Sequence, residues 1–446
     1  MKVDMLTGGL FRRILIFSLP LMASGILQQS FNSVDVAVVG RFCGKEALAA
    51  VGSNGMIISL IVNLFIGISV GANVIISRYI GQRDDEGIRR SVATVGIVAV
   101  ASGLLLSVIG LLAARPLLEL VSTPPDVIDL ATTYLRIYFC GMPALMAYNF
   151  GSAILRSLGD TNRPFLALLA GGLVNTGLNF YFVLELGMDV DGVGLATIIS
   201  QFVSAIIVVW ILLREQGPYR LEPRRCRIHR HQFVKMLQIG LPAGLQGVVF
   251  SISNVFIVGN INLFGSTASA GSAAAIIFEF YCYYVISSFA QAAVVFTSAN
   301  YGAGQLDRVR RVWTVCMVYS VLWCGVLNVI IASNARWFAG IFTQDAAAID
   351  YAVVRITTVL LFQFIASSYE VSGSAMRGLG YSMTPTVITI IGTCLLRILW
   401  VHTVSAGADD FRLLMSVYPL TWTVTGVAVV VAYFRCRRKA FAKLAS

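Results

Sequence analysis

Apolar residues along this chain run on in long continuous blocks, and the ten-residue alternation of a membrane barrel is absent. A bilayer-spanning helix needs roughly 20 such residues. Blocks of about that length or longer predict helices near 13–40, 47–77, 91–113, 128–153, 163–184 and 191–213, then near 233–262, 268–299, 311–332, 347–375, 385–405 and 411–434. The expected fold is an all-α polytopic membrane protein with twelve transmembrane helices.

The polar remainder is ordered as well. At a spacing of roughly 221 residues the chain repeats itself. Leu19-Pro20 returns as Leu241-Pro242 and Asn32 as Asn254, and Arg156-Ser-Leu-Gly159 with Pro164 returns as Arg377-Gly-Leu-Gly380 with Pro385. The loop Gly81-Gln82 to Arg89-Arg90 returns, shortened, as Gly304-Gln305 to Arg310-Arg311. The expected organisation is two pseudo-symmetric six-helix bundles: an N-lobe, 1–213, a basic cytoplasmic linker, 214–232, and a C-lobe, 233–446, ending in a basic tail. Six spans per half is an even number, so the repeat axis should lie along the membrane normal.

Composition adds the class and charge adds the orientation. The 446 residues are 57% hydrophobic and 12% charged, with a mean hydropathy of +0.80, which excludes an ordinary soluble domain. The net charge of +11 is spread over short loops, which argues against a nucleic-acid partner. About 25 of the 33 basic residues fall on the side carrying the termini, against Arg41, Lys45, Arg115, Arg336 and Arg412 on the other. Both termini are therefore expected in the cytoplasm. The first block follows Arg12-Arg13 and outlasts a signal peptide, so it reads as a spanning helix. The eight cysteines are scattered, mostly within spans, and read as packing residues.

Against this background a carboxylate at bilayer depth stands out, because its insertion costs about 3 kcal/mol. Of 22 Asp and Glu residues, Asp35, Glu279 and Glu370 fall clearly within predicted spans. Gln28, Gln29, Ser30 and Asn32 precede Asp35 on the same helix and form a polar stripe suited to a cavity. Asp35 is expected to bind a proton or a small cation, against the alternative of a helix-to-helix hydrogen bond. Glu370 aligns with Asn149 across the repeat, and Arg397 with Thr176. Glu279, Glu370 and Arg397 read either as a cavity-facing cluster that attracts cations or as a structural ion-pair network, with structure favoured for Arg397. Tyr283, in the aromatic run Phe278, Phe280, Tyr281, Tyr283, Tyr284, could stack on planar cations or simply pack. Arg136 and Arg355, near Asp129 and Asp350, read as snorkelling or locally paired. Pro20 can kink the first helix.

Phe17-Ser-Leu-Pro20, Asn32-Ser-Val-Asp35 with Val39-Gly-Arg41, Arg156-Ser-Leu-Gly-Asp160-Thr-Asn-Arg-Pro164, Gly192-Val-Gly194-Leu-Ala-Thr197-Ile-Ile-Ser-Gln201 and Asn300-Tyr-Gly-Ala-Gly304 together resemble the multidrug and toxic compound extrusion (MATE) family, closest to its prokaryotic branches. The resemblance spans about 12–435. It implies two bundles facing a central cavity in the bacterial inner membrane and drug export driven by inward Na+ or H+. It also implies an ion site at Asp35, Asn149, Asn175, Asn179 and Thr197, and bending of the first helix at Pro20 as a gate. Many relatives carry a second Asp where this chain has Asn179, which leaves one carboxylate in the site.

Enzymatic motifs are lacking. Gly192-Val-Gly194 has no preceding strand and reads as close helix packing. Cys226, His229 and His231 lie in an Arg-rich linker and read as a solvated loop facing lipid headgroups, with metal binding the other reading. No P-loop is present, so no cofactor is expected, and no metal beyond Na+ at Asp35. The function expected is secondary active antiport of cationic or amphipathic drugs by alternating access, with no obligatory protein partner. The alternative is a flippase for lipids or lipid-linked oligosaccharides, which should need a strongly cationic cavity.

Overall fold

The computed structural model describes residues 2–121, 123–225, 227–405 and 410–445, and the regular elements among them are helices. The first six are α1 (Leu10–Cys43), α2 (Lys45–Gln82), α3 (Asp85–Leu120), α4 (Ile128–Cys140 with Met142–Ser157), α5 (Asn162–Glu185) and α6 (Val190–Arg214). The second six are α7 (Arg230–Leu263), α8 (Ser266–Gly302), α9 (Leu306–Ser333), α10 (Ala346–Leu379), α11 (Met383–Thr403) and α12 (Phe411–Leu444). Among the described residues eleven are individually long and apolar enough to cross a membrane. The remaining one, α4, reaches that length as two helices that meet at Gly141. Pro143 sits in the first turn of the second, where its missing N–H costs nothing.

On α3 the membrane surface is visible residue by residue. Val100, Leu104, Val108 and Leu112, one turn apart, are all more than half exposed, while Val92, Val95, Ala99 and Leu106 are buried. In water such a stripe would be an aggregation hazard. Against lipid it is the stable arrangement, because the helix satisfies its own backbone. Several loop carboxylates act as caps: Asp84 accepts from Gly87 N, Asp345 from Ala347 N and Asp410 from Arg412 N, at the starts of α3, α10 and α12.

The chain forms two compact units, one of residues 2–3 and 23–241, the other of residues 4–22 and 242–445. Relative to lobes of 1–213 and 233–446, the first part of α1 groups with the second unit, whereas the linker and the first part of α7 group with the first. Within the first unit, a Cβ on Gly71 would lie 2.2 Å from Met236 O and one on Gly240 2.5 Å from Ile68 Cα. The start of α7 therefore touches α2 backbone to backbone. Within the second unit, Phe17 meets Phe296 edge-on at 5.4 Å. Asn300 Nδ2 donates to Met5 O at 3.0 Å, and Arg308 donates to Gly8 O at 3.0 Å and Thr7 O at 3.2 Å.

The repeated Arg-x-Leu-Gly motif has a structural basis in each unit. Gly159 and Gly380 end α4 and α10 in the left-handed region, at φ 77° and 98°. Each donates to the carbonyl three residues back, and the next residue donates five back: Asp160 N to Leu155 O at 3.0 Å and Tyr381 N to Met376 O at 2.9 Å. This is a helix-ending turn that favours glycine.

Candidate functional site

Asp35 is brought to its partners by a close helix contact. A Cβ on Gly172 would lie 1.6 Å from the Phe31 ring, so α1 and α5 approach at that level only because residue 172 is glycine. One turn beyond Phe31, Asp35 meets the face of α5 that presents Asn175 and Asn179. Asn179 Nδ2 donates to Asp35 Oδ1 and, at 3.3 Å, to Asn175 Oδ1. Two acceptor oxygens face that amide nitrogen, which fixes the amide orientation. Asn179 Oδ1 is then buried without a hydrogen-bond partner.

No basic side chain pairs with Asp35 among the described residues. Tyr134 and Tyr138, a turn apart on α4, lie within its electrostatic reach. The charge is met by neutral dipoles alone, and an unused acceptor oxygen lies beside it. Chemically, such an arrangement has the donor set for a proton or a hard cation.

Other predicted residues sit differently. Asn149 Nδ2 donates to Leu145 O, and Thr197 Oγ1 to Val193 O, each at 2.9 Å within its own helix. Gln28 is exposed on α1, and Ser30 and Ser33 bond to carbonyls one turn back. Pro20 lies within α1, two residues before the point where that helix passes from one unit to the other.

In the second unit the charged residues are partnered separately. Arg355 is fully buried and grips Glu279 with both arms of its fork, Nε to Oε1 at 2.6 Å and Nη2 to Oε2 at 2.9 Å. Its Nη1 donates to Ser272 Oγ at 2.5 Å, and Gln363 Nε2 donates to Glu279 O at 2.9 Å. The expectation that Arg355 snorkels or pairs with Asp350 is thereby corrected: Asp350 pairs with Arg336, and Asp129 with Arg115. Glu370 accepts from Tyr283 Oη at 3.4 Å and lies in the field of Arg377, which donates to Gln246 Oε1 at 2.7 Å.

Arg397, completely buried, reaches Asn254 Oδ1 and Thr421 Oγ1, both at 3.4 Å, and lies over the rings of Phe250 and Tyr418. Tyr418 also stands 5.6 Å from Arg355. Its position between two guanidinium groups has no trace in local spacing. Tyr134 and Tyr138, by contrast, could have been found as an i, i+4 pair on one helix face. Of the linker residues, Cys226 lies outside the described residues. His229 donates its backbone N–H to Thr94 Oγ1 at 3.1 Å.

Comparison with known proteins bears on the whole chain. The chain is 27% identical over 390 residues to the probable multidrug resistance protein YoeA of Bacillus subtilis, covering 85% of this chain and 84% of that one. It is 24% identical to the probable multidrug resistance protein NorM of Thermotoga maritima, covering 85% and 82%. A solved outward-facing structure of a multidrug resistance MATE family transporter has a TM-score of 0.89 at 23% identity, covering 100% of this chain and 99% of that one. That likeness carries the fold, two lobes of six membrane helices. The family model MatE matches residues 20–181 and again 242–401, once in each half of the repeat, and the chain therefore belongs to the MatE family, whose members are membrane transporters and not enzymes.

Proposed function

We propose that this transporter exports amphipathic drugs, cations among them, in exchange for inward Na+ or H+, and that Asp35 is the residue through which the ion acts. The observation that carries the reading is the Asp35 carboxylate, held by Asn179 without a basic counter-charge and beside the unpartnered Asn179 Oδ1. An entering proton or Na+ neutralises Asp35 and removes the reason for its polar surroundings to stay fixed. Binding of different strength in two conformations then shifts their populations. The multidrug names of the relatives support drugs over lipid-linked oligosaccharides as cargo. Glu279 is occupied by Arg355, so within the second unit the reading places the attraction for cationic cargo at Glu370 and Tyr283.

Purified protein in liposomes, loaded with ethidium and given a Na+ or a proton gradient separately, tests this. Efflux should follow at least one gradient in the wild type and fall to background in Asp35→Asn, while ethidium binding in detergent persists. Gradient-driven efflux surviving in that variant would refute the assignment and move the coupling to Glu370.

The same proposal places both termini and the 214–232 linker in the cytoplasm of a bacterial inner membrane. In a cysteine-free background, an impermeant thiol reagent applied to intact cells should label a cysteine placed at Asp189 and spare one placed at Glu222. The opposite labelling would invert the orientation.

A further inference from the structure

Arg397 is a buried cation that the transport reading leaves unused. It lies in α11, six residues from the outer end of that helix, just after a π-helical turn, Ile390–Leu395. Such turns widen a helix by one residue and recur at functional sites. Gly392 within the turn lets α11 close on α12: a Cβ there would lie 2.3 Å from Thr425 Oγ1. The turn therefore seats Arg397 against the α12 face that carries Thr421 and Thr425.

The guanidinium is underused in that seat. It is fully buried, yet among the described residues no carboxylate lies within ion-pair distance. Its two hydrogen bonds, to Asn254 Oδ1 and Thr421 Oγ1, are both 3.4 Å, near the limit for such contacts. Its Nη2 has no partner at all, and the buried hydroxyl of Thr425 also has none. The rings of Phe250 and Tyr418, 5.1 and 4.5 Å from the guanidinium carbon, favour the charge but cannot neutralise it. Arg355, the other fully buried arginine of this unit, shows what a satisfied fork looks like: two short bonds to one carboxylate. Arg397 has the same fork and lacks the carboxylate.

We infer that Arg397 is the reading residue of an anion site in the second unit, suited to a carboxylate or a small free anion. A carboxylate would take Nη1 and Nη2 together, the pairing for which a guanidinium is shaped. Asn254 occupies part of that position with a neutral amide oxygen. Asn254 is itself only half-buried, so its amide can swing aside for an anion without a change in the buried core around Arg397. A carboxylate on an otherwise cationic drug would make the cargo zwitterionic, which deepens the export reading. A free halide would instead be a resident counter-ion. The inference rests on that reading only where the anion belongs to cargo.

The test is equilibrium binding in detergent, with no gradient, so loss of ion coupling does not obscure it. Rhodamine 110, which carries a free carboxylate, and rhodamine 123, its methyl ester, are titrated by fluorescence anisotropy in gluconate and in chloride. The wild type should bind the acid about tenfold more tightly than the ester, the factor expected for one charge-assisted pairing. Chloride should compete with the acid alone. Arg397→Gln should remove the preference by weakening the acid only, and Arg397→Lys should keep part of it. Should Arg397→Gln fail to fold, Asn254→Ala serves instead: removal of the competing amide oxygen should tighten the acid and leave the ester unchanged.

A wild type with no acid preference, but with a melting temperature that rises in chloride and a rise that is lost in Arg397→Gln and kept in part in Arg397→Lys, would assign the site to a free anion. Equal affinity for both dyes together with indifference to chloride would overturn the inference. So would an acid preference that survives Arg397→Gln, or an Asn254→Ala variant that folds and binds both dyes as the wild type does.

Discussion

The two units are built on one repeat, yet each carries an unpaired charge of opposite sign on a different helix. In the first, Asp35 lies eight residues from the end of α1 and is held by amides from α5. In the second, Arg397 lies six residues from the end of α11 and touches Asn254, the repeat partner of Asn32 on the Asp35 helix. Neither has a counter-charge within ion-pair distance among the described residues. A third charged group, the Glu279–Arg355 pair, shows the alternative, with both fork bonds made and Ser272 and Gln363 bracing the ends. The difference separates a buried charge whose bonds are all made within the fold from two whose bonds are incomplete.

The sharpest test of that distinction is to break the paired charge. Arg355→Met leaves Glu279 buried alone and should cost about 3–5 kcal/mol, seen as a large drop in melting temperature and in detergent-extracted yield. Asp35→Asn should move the melting temperature little. Equal losses in the two variants would erase the contrast.

Next in size is Glu370→Gln. It should lower export of monovalent cations several-fold, the scale on which a fixed charge raises the local concentration of its counter-ions, while neutral compounds leave at wild-type rates. Parallel losses for both, with poor expression, would place Glu370 among the structural charges.

Asn179→Asp adds a carboxylate beside Asp35. It should tighten Na+ binding or move the pH dependence of efflux toward neutral pH, because two adjacent carboxylates hold a shared proton more strongly than one. Unchanged ion and pH dependence would mean that the space beside Asp35 is not where the ion sits.

The smallest effect is expected outside the membrane. Burial pushes the Glu215 carboxyl up, but hydrogen bonds and charge from Lys2 and Arg163 outweigh it and hold it below the usual carboxylate range. A carboxyl lowered on folding contributes stability above its unfolded value, about 4.3, and loses that contribution as pH falls through the folded value. Glu215→Gln should therefore lower the melting temperature by about 1–2 °C at pH 7 and make no difference in strong acid. A deficit that persists in strong acid would show that packing rather than charge is lost.

How much of this was legible in the sequence depended on the range of the interaction. Helix number followed from apolar run length, whereas the repeat marked Gly159 and Gly380 without showing that each ends a helix in a left-handed turn. The candidate site was legible as far as Asp35, because one carboxylate in an apolar run is conspicuous wherever its partners lie. Arg355 shows where reading along the helix fails. Asp350, five residues before it, looked like a partner, but the actual carboxylate belongs to Glu279, 76 residues away on α8. Spacing reports neighbours on one helix and says nothing of which helix lies opposite. The break of α4 at Gly141 was hidden for a similar reason, since a glycine and a proline inside an apolar run are also compatible with a continuous bent helix.

The grouping of residues 4–22 with 242–445 has a consequence for how the protein is made. Those residues leave the ribosome long before the helices whose Phe296 and Arg308 fasten them are translated. The first half cannot mature as a finished module and then wait for the second, as independent domains do. Its leading segment must remain unattached in or near the membrane until most of the chain has been inserted. Severing the chain within the 214–229 loop would consequently yield two fragments, each missing part of its own unit, that must complete one another before either is whole.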